Sequence, residues 1–105
     1  MPRVAIPTAP REVFLEGSWP QVRWAKRIRA DLLPDMVDHR RDLAGFLATP
    51  GLDDQASARC RARIDAIDSL LRSNSAKWWI DQRGHFAHSI IDARVRVLDA
   101  APSGA

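Results

Sequence analysis

The sequence predicts an all-α protein, a small antiparallel bundle of three to four helices with an extended N-terminal arm. Apolar residues recur at spacings of three and four, and no segment shows the sustained alternation that is typical of a strand. Short breaks rich in Pro, Gly and Ser separate the helical segments. The 105 residues have the length of one domain. We predict an arm at 1–17, the bundle at 18–100 and a frayed tail at 101–105.

The first helix is predicted to begin at Ser18, directly after the Pro-rich arm. Ser18 and Gln21 have the spacing of a capping box, and Pro20 suits a first helical turn. Pro34 lacks the backbone N–H and either ends this helix or kinks it, which decides between three and four helices. The expected inner stripe consists of Trp24, Ala25, Ile28 and Leu32.

Two further breaks divide the rest of the chain. Residues 35–48 resume the helical period, and the stop at 49–51, Thr-Pro-Gly, ends it. Asp53 or Asp54 is expected to cap the next helix. Its apolar stripe is the most regular in the chain and consists of Ala56, Cys60, Ile64, Ile67 and Leu71.

The last helix is predicted to run from Ala76 to Asp99, with Asn74 or Ser75 as its N-cap. It begins with the adjacent tryptophans Trp78 and Trp79. Because neighbouring helical residues point about 100° apart, the two indoles cannot face the same groove. We expect Trp79 to pack inward against Trp24. Trp78 is expected at the margin, where it either covers the end of the first helix or stands exposed as a partner anchor or a base-stacking platform.

Cysteine usage and hydropathy exclude several classes of protein. The single Cys60 excludes an internal disulfide, a C-x-x-C pair and a thiolate zinc cluster, and is typical of a cytoplasmic protein. We expect no signal peptide and no membrane span. No P-loop, G-x-S-x-G or dinucleotide-binding motif is present, so neither an enzyme nor a cofactor is expected.

Basic residues are segregated on two predicted helices. The net charge is +3, and 16 residues are basic. A row of basic residues along one helix face could follow a phosphate backbone of RNA or DNA without reading its sequence. The alternative is a solvated face with ion pairs such as Arg27–Asp31 or Arg61–Asp65. The candidate nucleic-acid-binding residues are Arg23, Lys26 and Arg27 on the first helix, and Arg59, Arg61, Arg63 and Arg72 on the helix after Pro50.

A third group could carry metal chemistry. Asp81, His85, His88 and Asp92 are spaced by four, three and four residues, which would place them on one strip of the last helix. A metal normally takes ligands from more than one element, so we favour a solvated helix face and predict no metal site.

Two segments carry a resemblance to small helical proteins of bacterial phages and plasmids. These segments are "GSWPQVRWAKRIRADLL" and "AKWWIDQR". The two segments cover about a quarter of the chain, and Pro20 departs from the charged residue that the pattern carries there. The resemblance implies a mobile genetic element as context and no particular reaction. The matching residues are Gly17, Ser18, Gln21, Trp24, Ala25, Ile28 and Arg29, then Ala76, Lys77, Trp78, Trp79, Ile80, Asp81 and Arg83.

In size, helix content and charge the chain is also similar to the helical small subunits of multi-subunit CRISPR effector complexes. That analogy implies contact with nucleic-acid backbone and with neighbouring protein subunits. We therefore expect a non-catalytic ribonucleoprotein-type subunit that uses Trp78 against protein partners, with self-association left open. The alternatives are a phage- or plasmid-encoded inhibitor or adaptor that binds protein, and a metal-dependent enzyme that uses His85 and His88.

Overall fold

The computed structural model describes residues 13–100, which form four α-helices and no strand. These are α1 (Trp19–Leu47), α2 (Asp54–Leu71), α3 (Ala76–Asp81) and α4 (Ala87–Ala100). The all-α prediction is confirmed. Residues 1–12 of the predicted arm and the predicted tail at 101–105 lie outside the described residues. Among the helices of the described part, none is long and apolar enough to cross a bilayer.

The start of α1 follows the predicted capping box. The Ser18 hydroxyl accepts a hydrogen bond from the Gln21 backbone N–H at 3.4 Å, and the Gln21 side-chain oxygen accepts one from the Ser18 N–H at 2.9 Å. Pro34 lies inside α1 and does not end it. The proline removes the bond to the carbonyl of Ala30, but both residues are exposed, so water can satisfy that carbonyl.

At each of the next two helix starts, the structure selects one of the two cap residues that the sequence offers. Asp53 accepts a hydrogen bond from the Ala56 N–H at 2.7 Å and begins α2. Ser75 accepts one from the Trp78 N–H at 3.1 Å and begins α3. In each case the side-chain oxygen satisfies an N–H that has no partner within the helix.

The predicted last helix is wrong, because the structure divides it into α3 and α4. Helix α3 ends at Asp81, and Gly84 adopts a φ of +81°, in the left-handed region that favours glycine. The His85 N–H then donates to the Gln82 carbonyl at 3.0 Å. The fourth helix therefore arises from a glycine turn in the last segment and not from a break at Pro34.

Helices α1 and α2 form an antiparallel hairpin on which α3 and α4 pack. Arg29 reaches the Leu71 carbonyl near one end, and the Cys60 thiol donates to the Leu43 carbonyl near the other. All four helices contribute to one apolar core. The largest fully buried side chains are Trp79, Met36, Ile67, Leu70, Leu71 and Ile91.

The chain segment before α1 is joined to the α2–α3 connection. The Glu16 N–H donates to the Asn74 carbonyl at 2.6 Å, and the Glu16 carbonyl accepts from the Ala76 N–H at 2.9 Å. The next residue, Gly17, lies so close to α3 that an added Cβ would come within 3.0 Å of the Ala76 Cβ. Glycine at this position lets the two backbones approach.

Candidate nucleic-acid interface

The N-terminal half of α1 carries an exposed cationic surface. Arg23, Lys26 and Arg27 are all exposed, and we call these three residues the basic face. Residues 19–30 contain no Asp or Glu. A fourth cation of this stretch, Arg29, is buried and donates to the Leu71 carbonyl at 3.0 Å. The basic face therefore presents three outward charges with no carboxylate beside them in this stretch.

The ion pairs of the described chain involve other cations and none of the three cations of the basic face. Within residues 13–100, neither the suggested pair Arg27–Asp31 nor Arg61–Asp65 is formed. The cations of the basic face remain available to an external anion. The ion pairs in this part of the chain are Arg40–Asp68, Arg41–Asp38, Arg63–Asp92 and Lys77–Asp81.

The four predicted arginines of α2 do not form one track. Arg59 and Arg61 lie about 160° apart around the helix. Arg63 donates to Asp92 at 2.6 Å and to His39 at 3.3 Å, so its charge is used between helices. Arg72 lines a shallow cleft together with Asp65, Asp68, Ser69 and Leu98, where carboxylates oppose an anionic ligand.

The four tryptophans divide into two outer and two inner side chains. Trp79 is fully buried, and Trp78 is half-buried with its ring 4.8 Å from that of Trp79. Trp19 is 71% exposed and Trp24 is 48% exposed. The prediction that Trp24 lies on the inner stripe is wrong: it stands about 100° from Ala25, at the edge of the stripe, where solvent reaches its indole.

An arginine lies over each of these four rings. The Arg23 guanidinium carbon lies 4.9 Å from the centroid of the Trp19 ring, within range for a cation–π interaction. Arg94 lies 5.4 Å from Trp78 in the same way. Trp78 thus already contacts both core and cation within the chain, and its role as a partner anchor stays a prediction. The exposed Trp19 was not predicted as a site residue, although its spacing of four from Arg23 was a signal.

The predicted strip of Asp81, His85, His88 and Asp92 is not formed, because the Gly84 turn separates its two halves. His88 instead meets His39 of α1, with ring centroids 4.7 Å apart. Among the residues from 13 to 100, no group of three His, Cys, Asp or Glu side chains could hold a metal ion.

The contact between His39, His88, Arg63 and Asp92 joins α1, α2 and α4. Burial lowers the pKa of His39, and the nearby charges of Arg63 and His88 lower it further, against weaker opposing effects of Asp42 and Asp92. The hydrogen bond from Arg63 lowers the pKa of the Asp92 carboxyl. Because Arg63 donates to the Nε2 atom of His39, that nitrogen must be unprotonated in this arrangement.

Acidification should therefore destabilise the fold. The unfolded chain takes up the His39 proton near pH 6.5, whereas the folded chain does so only at a lower pH. The contribution of His39 to the free energy of unfolding is thus fully present above about pH 6.5 and is lost as the pH falls through the folded pKa of His39. Asp92 adds a further loss at more acidic pH. Urea unfolding of the wild-type protein between pH 5 and pH 8 measures the slope of the free energy of unfolding against pH.

The matched variants are His39→Gln and His85→Gln. Glutamine can accept the Arg63 hydrogen bond but does not titrate, so His39→Gln should flatten the slope between pH 5 and pH 7. His85 is exposed in the connection between α3 and α4, so its replacement should keep the wild-type slope. Equal slopes for His39→Gln and wild type would show that His39 does not cause the effect.

Cys60 lies in the contact between α1 and α2. The thiol is buried and donates to the Leu43 carbonyl at 3.1 Å. Burial raises the pKa of the Cys60 thiol, which disfavours the thiolate that a nucleophile requires.

The basic face of α1 thus remains the strongest candidate site in the described part of the chain. No protein-family model, curated protein or solved structure matches the sequence.

Proposed function

We propose that this protein is a non-catalytic helical subunit of a nucleoprotein complex and that its basic face binds the phosphate backbone of a nucleic acid. One observation carries the proposal: Arg23, Lys26 and Arg27 point outward from an acid-free stretch of α1 and form no ion pair in the described chain. Phosphates are the anions that such a row of exposed cations neutralises with release of counterions.

The spacing of the basic face suits a polyanion. Arg23 and Arg27 lie one helical turn apart, about 6 Å along the axis, with Lys26 beside them. The charges therefore follow one line instead of converging on a point, which suits successive phosphates better than one small anion. The basic face carries no base-reading motif, so we propose binding without sequence preference. Contact with neighbouring protein subunits through Trp78 remains part of this proposal.

The test is a salt series with two triple variants. Each of three phosphate contacts contributes slightly less than one unit to the slope of log affinity against log salt, so the basic face contributes about −2 to −3. Arg23→Ala/Lys26→Ala/Arg27→Ala should remove most of that slope and weaken binding to every sequence alike. Fluorescence anisotropy with labelled oligonucleotides measures both quantities, and circular dichroism checks that helix content is unchanged.

The matched control is Arg59→Ala/Arg61→Ala/Arg72→Ala, which removes the same number of charges from α2 and its C-cap, Arg72. Net charge is then equal in the two variants, and only position differs. We expect the α2 variant to bind nearly as the wild type does. Equal weakening by both variants would show that net charge and not the basic face governs binding. No measurable binding by the wild-type protein would overturn the proposed function.

A further inference from the structure

Two exposed indoles lie on either side of Arg23 and Arg27, two of the three cations of the basic face. Trp19 stands one turn before Arg23 along α1, and Trp24 lies about 60° around the helix from Arg27. The order around the outer surface is therefore indole, cation, cation, indole. Lys26 lies about 20° beyond Trp19, on the side away from Arg23. The whole arrangement covers an arc of about 160°, opposite the buried side of α1 at Ala25 and Met36.

Each indole is held by a guanidinium group. Arg23 lies 4.9 Å from the Trp19 ring centroid, and Arg83, from the turn after α3, lies 5.0 Å from that of Trp24. These contacts restrict the planes of the two rings, while 71% of Trp19 and 48% of Trp24 stay open to solvent. A flat aromatic surface beside a cation is the surface on which a nucleic-acid base stacks.

The buried Trp79 differs from these two exposed indoles. Trp79 is fully buried and its ring N–H donates to the Ser73 carbonyl at 2.9 Å, so its polar atom and its apolar surface are both satisfied by the fold. Trp19 and Trp24 leave much of their apolar area in water. Aromatic side chains beside a row of cations are the combination with which proteins bind single strands.

We propose that the ligand of the basic face is a single strand, whose unpaired bases stack on Trp19 and Trp24 while its phosphates contact Arg23, Lys26 and Arg27. This inference rests on the proposed function and specifies its ligand. Bases in a duplex are already stacked on one another and cannot cover an indole without unpairing. A single strand can turn its bases to both sides of the cationic row.

The experiment separates the contribution of the bases to affinity from that of the phosphates. The probes are labelled oligothymidine, an abasic strand with the same number of phosphates, and a duplex of the same length. The wild-type protein should bind oligothymidine about tenfold or more tightly than the abasic strand, because each stacked base adds affinity of that order. Trp19→Ala/Trp24→Ala should lose this preference and keep both its binding to the abasic strand and its salt slope.

Two control variants sharpen the result. Trp19→Phe/Trp24→Phe keeps aromatic faces and should retain most of the preference for oligothymidine. Phe46→Ala removes an exposed aromatic ring about 33 Å farther along α1 than Trp24 and should leave the affinity for all three probes unchanged. Circular dichroism of every variant checks folding, which the exposure of both indoles leaves largely independent of these substitutions.

The outcomes distinguish the two proposals. Equal binding of oligothymidine by the wild-type protein and Trp19→Ala/Trp24→Ala, with the basic-face variant still weakened, overturns stacking and leaves the proposed function standing. A preference of the wild-type protein for the duplex also overturns it. Absence of binding to all three probes overturns the proposed function itself.

Discussion

Replacing Asp68 by Ala should lower the free energy of unfolding by about 3–5 kcal/mol, because it removes a carboxylate that accepts two hydrogen bonds from the largely buried guanidinium of Arg40. The Arg40 Nε donates to one Asp68 oxygen at 2.5 Å and the Nη2 to the other at 3.0 Å. The two side chains are only 10% and 18% exposed. Urea denaturation at pH 7 measures the loss.

The control for Asp68 is the exposed pair of Asp38 and Arg41. These side chains are 64% and 72% exposed, so Asp38→Ala should cost no more than about 0.5 kcal/mol. The double variant Arg40→Met/Asp68→Leu removes both buried charges and should recover most of the stability that Asp68→Ala loses. A loss for Asp68→Ala as small as that for Asp38→Ala would contradict the role assigned to the buried pair.

Replacing Trp79 by Ala should also lower the free energy of unfolding by about 3–5 kcal/mol, the usual cost of removing a buried aromatic ring. Trp79 is fully buried, its ring meets that of Trp78 edge-on at 4.8 Å, and the Arg29 guanidinium carbon lies 5.6 Å from its centroid. Removing it opens a cavity where α1 and α3 meet the remaining core. Thermal and urea unfolding measure the effect.

Trp79→Phe and Trp19→Ala separate the contributions to this effect. Phenylalanine keeps much of the buried area but cannot donate to the Ser73 carbonyl, so Trp79→Phe should lose clearly less than Trp79→Ala. Trp19→Ala removes an indole that is 71% exposed and should change stability by about 0.5 kcal/mol or less. Similar losses at positions 19 and 79 would show that ring burial does not determine the cost.

Local signals in the sequence predicted the beginnings of three helices. Ser18, Asp53 and Ser75 each cap the helix that follows. Cap residues act within one turn, so their effect can be read from neighbouring positions. The regular stripe from Cys60 to Leu71 likewise identified the buried side of α2, since periodicity depends only on the helix itself.

The errors arose where a local signal competed with another effect. Pro34 is a signal for a helix end or a kink, but its exposed position lets water replace the missing hydrogen bond, so α1 continues. The apolar period continues on both sides of Gly84 and therefore predicts one uninterrupted helix there. A glycine in the left-handed conformation after Gln82 and Arg83 is a common helix stop and could have been recognised.

The candidate site was only partly predictable for a different reason. The row of Arg23, Lys26 and Arg27 follows from spacing along a single helix. Whether Arg63 is free or paired depends on His39 and Asp92, which belong to two other helices. The exposure of Trp24 likewise depends on which side of α1 the other helices cover. Such relations between helices are not readable from periodicity in one segment.

The hydrogen bonds around Glu16 have a consequence for how the fold opens. They join Glu16 to Ala76, 60 positions along the chain, and so close a loop that contains both α1 and α2. Because contacts between α1 and α2 already hold the ends of that loop close together, these bonds can break without opening the hairpin. Amide hydrogens at Glu16 and Ala76 should therefore exchange with solvent through local fraying. Those of Ile67 and Leu70, deep in the core, should exchange only when the whole bundle unfolds.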